Sequence, residues 1–301
     1  MEHFIEGIDI ESDKIDNPIK IGSFSDLHLK KDIRALNYIK SVIEKIREIN
    51  PDYITGLGDY YYGHKKEKFE MRDSLIYLLH ALREIAPVIL CLGNHDLSIE
   101  NERELRRLFH NLESKNIYPL DNESIEFKNI YFSSYFARRD AYAVSKMTKR
   151  KTELVVNDLN KAQLIANSNK FSNLLCHNPY IVLSPTIRNE FSNLYDYDLI
   201  SSGHCHNGMF SYKVEQNMIN RIDKIISKLK GNLDDSHQRI IDFLESMKTF
   251  GIITGPSPIT RFARGLHEIN GTKLFISRGV TNQNKNGDSF ISEINVIPRS
   301  K

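Results

Sequence analysis

Residues 88–96 read Val88-Ile89-Leu90-Cys91-Leu92-Gly93-Asn94-His95-Asp96. A short apolar run opens onto a glycine and three consecutive side chains that carry an amide oxygen, an imidazole and a carboxylate. The run is strand-like. The polar cluster lies where a buried strand would pass into a loop, which is where open α/β sheets keep their chemistry. One such cluster decides little, but four other stretches are built the same way.

Ile19–Ser25 ends at Asp26-Leu27-His28, and Tyr53–Leu57 ends at Gly58-Asp59. Phe171–Cys176 ends at His177-Asn178-Pro179, and Tyr197–Ser202 ends at Gly203-His204-Cys205-His206. Helical patterns separate the first runs. Ile33–Ile49 has apolar residues at Ile33, Leu36, Ile39, Ile43 and Ile46 and stops at Pro51. Phe69–Ile85 stops at Pro87, and Glu102–Leu112 forms a third helix. The alternation predicts βαβ units and a largely parallel sheet. Ile125–Phe127 and Ile130–Tyr135 read as a hairpin, and Leu159–Ala166 as a helix.

Residues 212–250 differ in character. Met218, Ile222, Ile225, Ile226 and Leu229 form one helical stripe and Ile240, Leu244 and Met247 a second, with Gly231-Asn232 between them. The expectation is a single domain over residues 1–301 with residues 212–250 as an inserted α-hairpin, followed by closing strands at Lys273–Ser277 and Phe290–Ile297. The stripe reads first as the hairpin's own packing. Its functional reading is a lid or a homo-oligomer contact, because long insertions are often functional.

The chain has 301 residues, 40% hydrophobic and 27% charged, enough to bury a sizeable core. A net charge of +2 gives no global argument for nucleic-acid or membrane binding. Three cysteines, Cys91, Cys176 and Cys205, do not make a disulfide framework and suit a reducing compartment. Met1–Asn17 carries six acidic residues and no apolar core of a leader, so Asp9, Asp13 and Asp16 read as a solvated tail. With no apolar stretch of spanning length, the expected location is cytoplasmic. The basic residues Arg138, Arg139, Lys146, Lys149, Arg150 and Lys151 read as a solvated face, with a nucleic-acid surface as the alternative.

The strand ends offer Asp26, His28, Asp59, Asn94, His177, His204 and His206. If these segments are extended, residues i and i+2 point the same way. Asp26 and His28 then converge while Leu27 turns to the core, and His204 and His206 converge while Cys205 turns away. An oxygen and imidazole set without thiolate suits Mn²⁺, Fe or Zn²⁺, with Mn²⁺ favoured. Seven ligands are too many for one ion and suit two that share a bridge, for which Asp59 with its two carboxylate oxygens is the natural choice. Two ions roughly 3.5–4 Å apart make a clamp for in-line displacement at phosphorus, with a bridging hydroxide as nucleophile. His95 is placed to assist the leaving oxygen, and Asp96 to orient that imidazole. The aromatic run Tyr60-Tyr61-Tyr62 is either substrate-binding, under a base or sugar, or packing against the sheet.

The ordered motifs D-x-H, G-D, G-N-H-D, H-x-P and G-H-x-H resemble those of the calcineurin-like metallophosphoesterase superfamily. The match covers about residues 19–211, and Phe262–Leu266 with Asn270–Gly279 resembles a bacterial phosphodiesterase branch. The resemblance implies a four-layer α/β/β/α sandwich with a dimetal site at the strand C-termini. It implies one ion on Asp26, His28, Asp59 and His206 and the other on Asp59, Asn94, His177 and His204. The implied activity is phosphodiester hydrolysis. A nuclease and a nucleotide or nucleotide-sugar pyrophosphatase are alternatives, as is an inactive scaffold of the same fold.

Overall fold

The structure is a computed structural model that describes residues 3–29, 34–61, 65–97, 116–135, 149–162, 164–166, 169–183, 187, 189, 191–205, 212–230, 238, 240–241, 264–280 and 289–299. Strands β1 (His3–Ser12), β2 (Ile19–Phe24), β3 (Tyr53–Gly56), β4 (Val88–Leu90), β5 (Ile117–Pro119) and β12 (Ser289–Pro298) build one sheet in the order β1-β12-β2-β3-β4-β5. Strands β6 (Ser124–Glu126), β7 (Ile130–Ser134), β8 (Phe171–Leu175), β9 (Leu199–Ser202), β10 (Gly265–Ile269) and β11 (Thr272–Ile276) build the other in the order β10-β11-β9-β8-β7-β6. β2 to β5 are parallel, as are β7, β8, β9 and β11.

Ile21, Leu57 and Ile89 of the first sheet pack on Phe132, Phe171, Leu199 and Phe275 of the second. Both sheets are therefore buried on their facing sides. The outer side of the first is covered by α1 (Arg34–Ile49) and α2 (Lys65–Arg83). α1 presents Ile39, Val42, Ile43, Ile46 and Ile49 inward, a helical stripe in which each buried isoleucine contributes about 1.5–3 kcal/mol. The helix ends with Asn50 in the left-handed region at φ 51°, followed by Pro51. The second sheet carries α4 (Lys149–Lys161), after the one-turn α3 (Asn94–Leu97), and then α5 (Pro179–Leu183). Val155 and Leu159, four apart, bury the inner face of α4. The architecture is the four-layer α/β/β/α sandwich.

Three expectations change. The acidic segment is not a tail: residues 3–12 form β1, parallel to β12. Ile10 faces the intersheet core while Asp9 and Glu11 are exposed, so the acidic residues are the outer side of an edge strand. Asp13 and Asp16 beyond it are exposed. The helix expected at Leu159–Ala166 lies earlier, at Lys149–Lys161, and Leu164 and Ala166 pack on the core after the helix has ended. β10 was not expected as a strand. Of the inserted hairpin, the first arm is helix α6 (Tyr212–Lys230), with Ile226 buried and Ile225 exposed. Its second arm lies outside the described residues apart from 238, 240 and 241, as do Glu102–Leu112 and Arg138, Arg139 and Lys146 of the basic run, whereas Lys149, Arg150 and Lys151 open α4. Among the described residues, no helix is long and apolar enough to cross a membrane.

Ile54, fully buried on β3 between neighbours that lead to the site, sets the tolerance of this packing. Ile54→Ala should lower unfolding free energy by about 2–5 kcal/mol in a urea titration. A loss below 1 kcal/mol would mean that β3 is not the packed centre described here.

Candidate metal centre

The parallel strands of both sheets run out at one end of the sandwich. Asp26 and His28 follow β2, Asp59 follows β3, Asn94 and His95 follow β4, His177 follows β8, and His204 follows β9. The two sheets thus bring six of the seven expected ligands to one place. His206 lies outside the described residues, as does Tyr62.

The Asp59 carboxylate is the hub. Its Oδ1 accepts the backbone N–H of His95 at 2.7 Å. Its Oδ2 lies 3.2 Å from His177 Nε2, 3.8 Å from His28 Nε2 and 4.0 Å from His95 Nε2. Two donor groups result, His28–Asp59–His95 and Asp59–His177–His204, each with its donor atoms within 4.8 Å of one another. Asp59 belongs to both. His28 Nε2 is also 4.0 Å from Asp26 Oδ1, and the Asp26 carboxylate accepts the backbone N–H of His204 at 3.1–3.2 Å. Of the two Asp59 oxygens, Oδ1 accepts the His95 N–H and Oδ2 faces the imidazoles.

Asp26, His28, Asp59 and His204 have φ of 55°, 42°, 57° and 71°. The extended geometry assumed for Asp26–His28, and for the segment that begins at His204, is therefore not what makes Asp26, His28 and His204 converge. The chain turns through the left-handed region, at a cost of order 1–3 kcal/mol for each such residue. Leu27 and Cys205 are nonetheless buried, as expected. Gly58 and Gly93 allow the loops to touch. Gly58 has φ 90°, and a Cβ on Gly93 would stand 2.1 Å from Asp59 Oδ1.

Asp96 does not orient the His95 ring. Its carboxylate accepts backbone N–H groups of Asp59 and Gly93 at 2.8 Å, Tyr60 at 2.9 Å and Tyr61 at 3.3 Å. It staples the loop after β3 to the loop after β4. That role was missed because the bonds run from backbone, which residue identity does not reveal. The tyrosine expectation also changes. Tyr60 and Tyr61 are buried in the core, and the Tyr60 hydroxyl donates to Gly56 O and Cys91 O. Neither ring is exposed enough to serve as a platform for a base or sugar.

Burial pushes the Asp59 carboxyl up, but the facing imidazoles, His177 first, overcome this and hold it below the usual carboxylate range. Burial also works against the charged form of His177, yet Asp59, Asp26 and the Leu57 carbonyl raise its pKa to about 9. Asp96 is pushed up to about 7 by burial first and then by the Asp59 charge, while the Gly93 and Tyr60 N–H donors and the His177 charge pull the other way. Among the described residues, the buried atoms Asp59 Oδ2 and Asn94 Oδ1 accept no hydrogen bond. Oxygen and imidazole donors gathered on Asp59, with its buried Oδ2 accepting no hydrogen bond, fit a divalent cation.

The model of the calcineurin-like phosphoesterase family matches residues 19–208. An uncharacterized metallophosphoesterase of Campylobacter jejuni is 24% identical over 233 residues, covering 75% of this chain and 55% of the relative. The UDP-2,3-diacylglucosamine pyrophosphatase LpxG of Chlamydia trachomatis is 27% identical over 125 residues, covering 42% of this chain and 36% of the relative. The chain thus matches about half and about a third of the lengths of these two relatives. Among solved structures, a dimetal phosphatase of Danio rerio aligns with a TM-score of 0.41 and 13% identity over 63% of this chain and 82% of its own.

Two outcomes follow from the electrostatics. The raised His177 pKa stabilises the metal-free fold fully below its ordinary value of 6.5, and that contribution is lost as pH rises through about 9. With its pKa near 9 the imidazole favours the protonated form at pH 7, so a divalent ion such as Mn²⁺ that took His177 as a ligand would displace about one proton. Calorimetric titration in buffers of different ionisation enthalpy should show this release, and a buffer-independent heat would contradict it. Separately, Asp96→Asn sets an amide NH₂ against backbone donors and should cost about 1.5–3 kcal/mol in chemical denaturation. A neutral substitution would refute the stapling role.

Proposed function

Because the chain belongs to the calcineurin-like phosphoesterase family, which its match over residues 19–208 establishes, we propose that it is a metal-dependent phosphoesterase with a preference for phosphodiesters. The carrying observation is the sharing of Asp59 Oδ2 between two donor groups. One divalent ion is assigned to Asp26, His28, Asp59 and His206, and the second to Asp59, Asn94, His177 and His204. Bound there, the pair supplies Lewis acidity toward phosphoryl oxygens and lowers the pKa of water, with Mn²⁺ the first choice.

The protein's own part is positioning. His177 is anchored by its Nδ1, 2.6 Å from the Leu57 carbonyl oxygen, which turns Nε2 toward Asp59. That contact sets the ring's orientation. His95 is the more open imidazole: its side chain is 32% exposed and its ring stands edge-on to His28 at 4.8 Å. Its assigned role is to meet the leaving oxygen, as general acid or cationic donor. It is positioned through its backbone N–H on Asp59.

The alternatives now weigh differently. A pyrophosphatase that stacks a base on Tyr60 and Tyr61 loses its platform to the core. The chlamydial relative is a pyrophosphatase by name, and a pyrophosphate diester has two bridging oxygens at each phosphorus, as a simple diester has. Both substrates therefore suit one centre. An inactive scaffold would not need a stoichiometric metal pair.

The test is a panel with Mn²⁺-reconstituted full-length chain: bis(p-nitrophenyl) phosphate, p-nitrophenyl phosphate, nucleotides and DNA. Diesters should be cleaved fastest. Asp59→Asn should reduce turnover at least about 100-fold with loss of metal, whereas His95→Gln should keep the metal and lower kcat by about 10²–10⁴-fold. Monoesters cleaved far faster than diesters would overturn the preference.

A further inference from the structure

The stretch Ser277-Arg278-Gly279-Val280 has no part in the assignments above. It leaves β11 in the second sheet and crosses to the end of β2 in the first. Ser277 N–H donates to Ser202 O at 2.8 Å, and Val280 N–H donates to Ser25 O at 2.9 Å. The Ser25 hydroxyl donates to Ser277 Oγ at 2.8 Å. Gly279, with φ 79°, lies against Asp26: a Cβ there would stand 3.2 Å from Asp26 Cβ and 3.3 Å from Oδ2. β11 runs parallel to β9 with Ile276 opposite Ser202, so Arg278 leaves β11 at the same end of the sheet at which His204 leaves β9. The crossing thus sets an arginine between the strand ends that carry Asp26 and His204.

The Arg278 side chain is held from two sides. Its guanidinium carbon is 4.6 Å from the centre of the Phe290 ring, and its Nε is 3.2 Å from Glu6 Oε1. The side chain remains 32% exposed. With Glu6 at the Nε side, the terminal nitrogen edge of the fork keeps donors in reserve, in the planar geometry that matches a phosphate. The Arg264 charge also acts on Glu6, so two guanidiniums share the neighbourhood of one carboxylate.

Position offsets this group from Asp59, the shared residue of the metal cluster. Glu6 is on β1 and Phe290 on β12, while Asp26 follows β2 and Asp59 follows β3, in the order β1-β12-β2-β3. A guanidinium over β12 is about two strand spacings, ~9–10 Å, from the Asp59 column. That offset leaves room, between a phosphate held at Asp59 and the guanidinium, for the next charged group along the substrate. We infer that Arg278 binds the second phosphate of a diphosphate-linked ester whose first phosphate sits at the metal cluster. This rests on the phosphoesterase reading and names its substrate class.

The experiment compares kcat/KM for a nucleoside diphosphate sugar and for bis(p-nitrophenyl) phosphate on Mn²⁺-loaded full-length wild type, Arg278→Ala and Arg278→Lys. The ratio of the two should fall about 30-fold in Arg278→Ala and recover partly in Arg278→Lys. The inhibition constant of methylenediphosphonate should rise by a similar factor, while that of orthophosphate moves far less. Metal content and Tm are read alongside. A ratio that stays constant while both rates drop together overturns this assignment alone, because Arg278 would then serve the fold or the scissile phosphate. Wild type that cleaves neither ester, with metal bound, overturns the phosphoesterase reading and this assignment with it.

Discussion

Two buried carboxylates hold this end of the molecule together, and each needs the other's loop. Asp59, after β3, accepts the N–H of His95. Asp96, after β4, accepts the N–H groups of Asp59, Tyr60, Tyr61 and Gly93. Neither loop can take this shape alone, since each supplies donors to the other's acid. Placing two anions in one dry region is costly unless donors and cations surround them. The backbone amides answer for Asp96. For Asp59 the answer is imidazole on one side and, by the reading above, divalent metal. The left-handed turns at Asp26, His28, Asp59 and His204 are kept because these contacts over-determine the loops.

The site also depends on how the sheets face each other. The first sheet delivers Asp26, His28, Asp59 and Asn94, and the second delivers His177 and His204. The distance between His177 and Asp59 is therefore a distance between sheets. It is set by the packing of Leu57 and Ile89 on Phe132, Phe171 and Leu175, and locally by the His177 contact with the Leu57 carbonyl. A change in that core would reach the chemistry without touching a polar residue.

The sequence made the strand-to-ligand rhythm legible because buried parallel strands are short apolar runs and their polar ends stand out. The alternation of strands and helices carried the layer order for the same reason. What escaped is instructive. Tyr60 and Tyr61 look like an exposed aromatic pair after an acid, but Asp59 has φ 57° and the chain turns both rings inward, where the Tyr60 hydroxyl finds carbonyl partners. Asp96 looked like a partner of His95 because the two are neighbours in sequence. In space its partners are amides, which every residue offers alike. The strand β1 was hidden by its acidic outer face, since an edge strand needs only one buried side.

The place of β12 has a consequence for how the chain comes together. It lies between β1 and β2, and His3 contacts Ser289 across 286 residues of separation. During synthesis β1 has no neighbour in the sheet until β12, far along the chain, has been made. The Val280 bracket on Ser25 is likewise late. Until then, β2 presents an open flank and Asp26 lacks its cover at Gly279. Assembly of the first sheet thus waits until β12 has been made, and chaperones that shield an unpaired β2 flank would act in that interval.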